Sequence, residues 1–443
     1  MTSLTVWYGK TVIHSKYKLF YEAAQNIIDE TNLTDLEKDI PEFENLSMND
    51  KKSEFKQLKS SLKLLLDISR HFRYQRLMKG GLELDSVEVQ FELTSEKQVE
   101  NLMLKESLEI HETVAEFMIM ANHWVAKKIY EHFPHNALLR CHPKPNDEKL
   151  KLLVECAKIK DFVINTESNE TLAKSLNNCV DLNDSYVNIF LRKLTTLSMH
   201  KALYFSTGSL SAENFIHFGL ALDKYTHFTS PIRLYSNSNL QELSIHINEK
   251  TISAQYAQRA SQQLYQCQYF KDKENSSVDA VITSIRSNGL VIDIPIYGLN
   301  GAVYLLDRDK KVLYFCNDLE NCKSEWTDGS IEQLQHSLIV HTTMGSQTYT
   351  IFDHVTVLIS PHVSSSGHVN KLKFELLDRR PHHVNESTKA GSQKHNINIV
   401  KSSVDIRKDK LKSLDLSFCE PKSDETLYDI LCSMKNMALG ASN

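Results

Sequence analysis

YTHFTSPIRLYSNSNLQ, residues Tyr225 to Gln241, gathers hydroxyls, an imidazole and an arginine around one proline. Thr226, Thr229 and Ser230 offer hydroxyl donors, His227 a donor that can charge, and Arg233 a planar fork that fits a phosphate bidentately. Pro231 holds the turn rigid. Such a set suits a nucleic-acid backbone. A second reading fits the same residues: Thr and Ser cap a helix beginning near Ile232, and Arg233 pairs with a carboxylate. The chemistry of the stretch leaves both open.

Outward from it, the chain of 443 residues has room for two or three domains and an ordinary share of apolar residues, 41%, for a sizeable core. Its net charge of −5 supplies no global positive field, so any nucleic-acid binding must use a local basic groove. The eight cysteines show no repeated short spacing and no secretory leader precedes them, which reads as reduced thiols in the cytosol or nucleus. No apolar run approaches the roughly 18 residues of a membrane helix.

Apolar residues recur at helical spacing from Tyr17 to Asp29 and again through Leu58, Leu62, Leu65, Ile68 and Phe72 until Gly80-Gly81. Val87, Val89, Phe91 and Leu93 alternate as a strand does, and so do Leu4, Val6 and Tyr8 at the start. The stripe Ile110, Val114, Phe117, Met118, Ala121, Val125 and Ile129 predicts a helix with that face in the core. Further helices are expected near Leu150 to Ala157, Thr171 to Asn177 and Val187 to Tyr204. After Lys273 the texture turns β-rich, with turn signals at Asn288-Gly289, Tyr297-Gly298 and Asn300-Gly301. About five strands are expected there, the count of a small OB-type barrel. Residues 381–423 read as a polar linker, and Glu425 to Leu439 as a terminal amphipathic helix.

Several chemistries fall away. His111-Glu112-Thr113-Val114-Ala115 lacks the second histidine of a zinc helix. Cys316 and Cys322 have no second pair to complete a four-ligand shell, and His382-His383 heads the linker. There is no GxSxG elbow and no Walker loop.

YTHFTSPIR is very close to the signature of the RNase II family, the RNB exoribonucleases. GKTVIHSKYKLFYEAAQ (Gly9–Gln25), HETVAEFMIMANHWVAKKI (His111–Ile129), ALLRCHPKP (Ala137–Pro145), the ALYFSTG run (Ala202–Gly208) and FGLALDKYTHFTSPIR (Phe218–Arg233) resemble consecutive pieces of that domain. QYAQRASQQLYQCQYFKDK and the β-rich residues after it resemble the family's S1-type OB domain. Ser324-Glu325-Trp326 and TLYDILCSMKNMAL look most like the Dis-three-like, cytoplasmic exosome-associated branch. The resemblance implies an α+β chain: the C-terminal part of an RNB catalytic domain over residues 1–273, a small all-β OB barrel over 274–380, and a linker with a terminal helix over 381–443.

It also implies a 3′→5′ exoribonuclease that threads single-stranded RNA and hydrolyses it with Mg²⁺ held by clustered aspartates, an Asp-Asp pair among them. In the family that cluster lies upstream of GKTVIHSKY, and no Asp-Asp dipeptide occurs in this sequence. The family continues Ser-Pro-Ile-Arg with a second base, a tyrosine and then an aspartate, leading into a helix with His-Arg. Here Leu234, Tyr235, Ser236 and Asn237 come next, and similarity resumes near Asn239 to Leu243. Arg233 matches the family's arginine at the scissile phosphate. Tyr225, Thr226, His227 and Ser230 match the wall beside it, and Arg140 and His142 positions along the RNA path. Tyr297 and Tyr304, on the expected barrel, are candidates to stack on bases, with packing in the barrel core as the equal alternative. The expected function is therefore RNA binding by an exoribonuclease polypeptide that is inactive alone, with RNA, exosome core subunits and no membrane as partners. The alternative is an exosome-docking or competitor module.

Overall fold

The computed structural model describes residues 6–29, 40–44, 46–84, 88–105, 107–229, 240–271, 273, 276–315, 324–363 and 369–380. Ser230, Pro231, Arg233 and Leu234, Cys316 and Cys322, and everything from residue 381, including His382, His383 and the expected terminal helix, lie outside the described residues.

Helix α1 (Tyr21–Ile28) buries Ala23, Ala24, Ile27 and Ile28, the stripe its spacing predicts. Helix α2 (Met48–Met78) starts at Ser47, whose hydroxyl accepts from the Asp50 N–H. It stops at Gly80, where φ is +88° and a Cβ would stand 2.6 Å from the Glu170 amide nitrogen. The hairpin of β1 (Val89–Leu93) and β2 (Val99–Leu104) leads to helix α3 (Glu109–His132). The start expected as a strand has no regular secondary structure over residues 6–20, because alternation makes a strand only where a neighbouring strand pairs with it.

α2 and α3 run side by side in the same direction. Arg70, Arg73 and Arg76, one helical turn apart, meet Glu109, Glu112 and Glu116 in order. Arg70 is bidentate on Glu109 at 2.8 and 3.0 Å. Ser69 donates to Thr113 at 3.1 Å, and Phe72 meets Phe117 edge-on. The expectation for α3 therefore needs correction: Thr113, Glu116 and Asn122 are buried with Ile110 and Ala126, while Met118 is exposed. The helix turns polar groups inward because its neighbours there are arginines and backbone. Glu112 and His111 serve the same purpose; His111 Nδ1 accepts from the Leu108 N–H at 3.3 Å, and Glu112 pairs with Arg73.

Strand β3 (Leu138–Cys141) precedes helices α4 (Asp147–Lys158), α5 (Asn169–Asn178) and α6 (Tyr186–Ser198). Leu150, Leu153, Leu172, Leu176, Val187 and Leu191 form one core among these helices. The helix expected from Val187 to Tyr204 ends at Ser198, where Met199 turns extended, and Leu203–Ser206 is strand β4, antiparallel to β3. A shared core explains the switch: Leu139 and Phe205 are paired across the ribbon and both buried. Helix α7 (Leu240–Lys271) then leads into the strands.

β5 (Ser276–Arg286), β6 (Gly289–Ile294) and β7 (Leu299–Tyr304) form a meander. β8 (Val312–Phe315) pairs with β9 (Ser324–Thr327), and β10 (Gly329–Gln333), β11 (Ser337–Thr342) and β12 (Gly345–Thr350) make a three-stranded sheet. β13 (His354–Val363) and β14 (Val369–Asp378) complete an antiparallel sheet of order β14-β13-β5-β6-β7. Its five strands match the count expected of an OB-type barrel; β8 to β12 are additional. Its core includes Leu102 of β2 and Tyr269 and Phe270 of α7.

The strand-rich part is fastened to α6. Val281, Ile351 and Phe352 enter the helical core. Asp293 on β6 accepts from the Tyr186 hydroxyl and from Lys193 Nζ at 2.6 and 2.7 Å. His354 bridges Asp279 at 2.8 Å and Asp184, just before α6, at 3.3 Å.

Glu116→Ala strands a buried guanidinium and is expected to cost about 3–5 kcal/mol in urea unfolding; a loss within error of zero would show that the α2–α3 pairs are dispensable. At the other junction, hydrogen bonds to Asp184 and Asp279 outweigh burial and raise His354 from 6.5 to about 10. A raised folded value means stabilisation fully present below the unfolded pKa and lost as pH climbs through about 10. The midpoint gap between wild type and His354→Gln should thus narrow steadily over that range, and a pH-independent gap would contradict the assignment.

Candidate nucleic-acid interface

The β3–β4 ribbon places Arg140 directly opposite Tyr204. Because side chains alternate along a strand and Leu139 and Phe205 face the core, Arg140 and Tyr204 share the other face. The guanidinium lies over the Tyr204 ring, 5.3 Å from its centroid. The segment carrying the quoted signature runs along the free edge of β3: Arg140 N–H donates to the Tyr225 carbonyl at 2.8 Å, and Thr226 Oγ1 to the Leu138 carbonyl at 2.9 Å.

This register delivers His227 between Arg140 Nη1 and the Tyr204 hydroxyl in two short contacts. A guanidinium only donates, so His227 Nε2 is an acceptor and Nδ1 carries the proton offered to the Tyr204 oxygen. Arg140 Nε is buried with no hydrogen-bond partner among the described residues. That N–H forgoes one hydrogen bond, while the rest of the guanidinium is held by His227 and the Tyr204 ring.

Asn122, buried on α3, holds the segment in place. Its Oδ1 accepts from the Phe228 and Thr229 N–H groups at 2.8 and 3.1 Å. Its Nδ2 donates to the Tyr225 hydroxyl at 3.0 Å and, at 3.4 Å, to Thr229 Oγ1. One residue on, His123 Nδ1–H donates to the Lys224 carbonyl at 2.8 Å. Burial raises the Tyr225 hydroxyl above its usual value, so it remains a neutral phenol. Sequence reasoning misses both Asn122 and Tyr204. An asparagine following the apolar run Phe117 to Ala121 is the available signal for the first.

The remaining candidates separate. His142 has both ring nitrogens occupied by backbone: Nε2–H donates to the His200 carbonyl at 2.8 Å, and Nδ1 accepts from the Gly219 N–H at 3.2 Å. It packs on His217, whose pKa burial pushes down to about 3 and whose Nδ1 is unpaired among the described residues. Tyr297 packs against Tyr269 and Phe270, and burial raises its hydroxyl to about 12. Tyr304, at the end of β7, is exposed. Arg233 and Ser230 lie outside the described residues.

Among the described residues no group of three or more His, Cys, Asp or Glu side chains is placed to hold a metal ion. Glu109, Glu112 and Glu116 are each committed to an arginine. The described residues therefore do not fit the Mg²⁺ that the resemblance implies. No described helix is long and apolar enough to cross a membrane.

The RNB domain profile matches residues 2–246. Over 325 residues the chain is 37% identical to the probable exosome complex exonuclease RRP44 of Caenorhabditis elegans, covering 68% of this chain and 32% of that protein. Over 397 residues it is 35% identical to the exosome complex exonuclease RRP44 of Homo sapiens, covering 84% and 37%. It thus spans about a third of the length of these relatives. Among solved structures, Mycoplasma genitalium RNase R in complex with ribose methylated single-stranded RNA superposes with a TM-score of 0.56 at 17% identity, covering 73% of this chain and 50% of that one. Yeast Ssd1, a pseudonuclease, gives 0.53 at 15% identity, with 73% and 51% covered.

Asn122→Ala leaves the Phe228 and Thr229 amides without their acceptor and is expected to destabilise the chain by about 2–3 kcal/mol. Amide exchange at those two residues should quicken beyond the global change. Unaltered exchange there would exclude the clamp.

Proposed function

Because the chain belongs to the RNB-domain family, we propose that it is the RNA-holding part of a 3′→5′ exoribonuclease polypeptide, that it binds single-stranded RNA at Arg140, Tyr204 and His227, and that it does not hydrolyse RNA alone. The observation that carries this reading is the half-buried Arg140 guanidinium, set over the Tyr204 ring and against His227 on a ribbon fixed by its own core. A guanidinium is a charged fork suited to a phosphate oxygen, and Tyr204 supplies a ring next to it. Tyr225, Thr226 and His142 are positioning residues here, since their polar groups are spent on Asn122, Leu138, His200 and Gly219. Arg233 and Ser230 are assigned to the same phosphate path from the family motif, and exposed Tyr304 to a base further along it.

Silence in hydrolysis has a chemical basis. Phosphodiester cleavage of the family's kind needs carboxylates free to hold metal, and Glu109, Glu112 and Glu116 of α3 neutralise arginines instead. No step through Mg²⁺ is assigned to this chain. Its relatives named as exosome exonucleases support a place with exosome core subunits; a cytosolic location is part of the proposal and rests on the resemblance alone.

A denaturing-gel time course with 5′-labelled single-stranded RNA, in Mg²⁺ and in EDTA, is expected to show intact RNA in both. Stepwise shortening in Mg²⁺ alone would refute the silent reading. In equilibrium binding, Arg140→Ala is expected to lower affinity about tenfold or more, the worth of a charged hydrogen bond. Equal affinity in the variant would remove Arg140 from the interface. Co-purification with exosome subunits, with and without the segment from Leu427 onward, tests the partner assignment; absence of those subunits from both preparations would exclude it.

A further inference from the structure

The edge of the β3–β4 ribbon opposite the signature segment is closed by a helix. In an antiparallel pair each residue turns its N–H and C=O either toward the partner strand or away from it, and both groups of Tyr204 point away from β3. Such an edge needs a further strand, or a group that imitates one. Asn248, half-buried on α7, supplies it: its Oδ1 accepts from the Tyr204 N–H at 2.8 Å, and its Nδ2 donates to the Tyr204 carbonyl at 2.9 Å. A carboxamide carries an acceptor and a donor in one plane, as a peptide group does, so it satisfies both together.

This clamp falls on the residue of β4 whose side chain enters the candidate interface. The Tyr204 ring lies under the Arg140 guanidinium, 5.3 Å from centroid to carbon, and its hydroxyl oxygen accepts from His227 Nδ1–H. A displaced Tyr204 would therefore lose two backbone bonds and disturb both side-chain contacts. α7 is itself fixed at its far end, where Gln266 donates to the Tyr297 carbonyl at 3.1 Å and Tyr269 and Phe270 enter the core of the five-stranded sheet. Between these points Lys201, shortly before β4, lies over the Tyr256 ring at 5.3 Å. Helix and ribbon segment thus meet at more than one place, and the Asn248 contact is the one made to Tyr204.

We propose that Asn248 is a positioning residue for the RNA interface: through its two bonds to the Tyr204 backbone it holds that ring, and with it Arg140 and His227, in the arrangement that receives RNA. The inference rests on the proposed RNA-binding function and brings α7 into it. Asn122 fixes the segment along the β3 edge, and Asn248 performs the same task on the β4 edge. It is assigned no contact with RNA.

The test is equilibrium binding of the full chain to labelled oligoadenylate, read by anisotropy, together with amide exchange at Tyr204. Asn248→Ala is expected to lower affinity about fivefold, the worth of roughly one neutral hydrogen bond, and to quicken exchange at Tyr204 beyond any global change. Since both residues are half-buried, water can take over the lost bonds and the fold should survive. Because Asn248 acts through Tyr204, adding Asn248→Ala to Tyr204→Ala should bring no further loss; multiplied effects would show that it acts elsewhere and overturn the inference. Tyr256→Leu, which alters the other helix–ribbon contact at an exposed site, should bind as the wild type does. A loss there equal to that of Asn248→Ala would make the effect one of general helix docking, again overturning the inference. Asn248→Gln keeps the carboxamide but moves it by one methylene, so its affinity should follow the protection that Tyr204 retains; either Asn248 variant losing protection while binding normally overturns the assignment. If Arg140→Ala weakens binding and Asn248→Ala does not, the Arg140 interface stands without this residue. Absence of any RNA binding by the wild type would overturn both readings together.

Discussion

A single buried carboxamide, that of Asn122, sets the geometry on which the candidate interface depends. An amide side chain offers one acceptor and two donor positions, and here they take the Phe228 and Thr229 amides on one side and the Tyr225 and Thr229 hydroxyls on the other. With the segment so held, Tyr225 and Thr226 lie against β3, and His227 falls between Arg140 and Tyr204. Asn122 is placed in turn by α3, and α3 by the arginine–glutamate ladder with α2. A buried ion pair is seldom a large net gain, but it penalises any shift of register, since a slipped helix would leave guanidinium and carboxylate unpaired. Specificity of placement is what this interface needs from it.

A second constraint joins the helical and strand-rich parts. Apolar contact through Val281, Ile351 and Phe352 is non-directional, whereas the Asp184–His354–Asp279 and Tyr186–Asp293–Lys193 groups fix orientation. Both groups lie on or just before α6, so one helix sets how the five-stranded sheet meets the rest. β2 and the end of α7 close the other side of that sheet's core, with Leu102, Tyr269 and Phe270 packed into it. Core packing thus crosses residue 273, where the change in composition alone would divide the chain.

Charge is arranged locally rather than globally. The acidic total says little about the surface around α3, where Lys127 and Lys128 lie beside Trp124 and Tyr8 and pair with Asp223 and Glu131, while Glu112 and Glu116 are consumed by arginines. Desolvation acts in the same direction on the interior histidine: His217 stays neutral because burial holds its pKa to about 3, leaving Arg140 as the cation at the ribbon.

The family motifs, the helices with strong apolar periodicity and the β-rich texture after Lys273 are legible along the chain, because spacing and turn residues are local properties. So are Arg140 and His227, whose motifs are contiguous. Tertiary structure alone decided that Tyr204 opposes Arg140, since the helix expected through Val187 to Tyr204 gives way to a strand only when Leu139 and Phe205 share a core. It decided that α3 turns Thr113, Glu116 and Asn122 inward, because the partners that make a polar face worth burying are an arginine row some forty residues earlier and a loop about a hundred residues later. And it left the apolar alternation at Val6 and Tyr8 outside any strand, because a strand is a property of two chain segments and periodicity belongs to one.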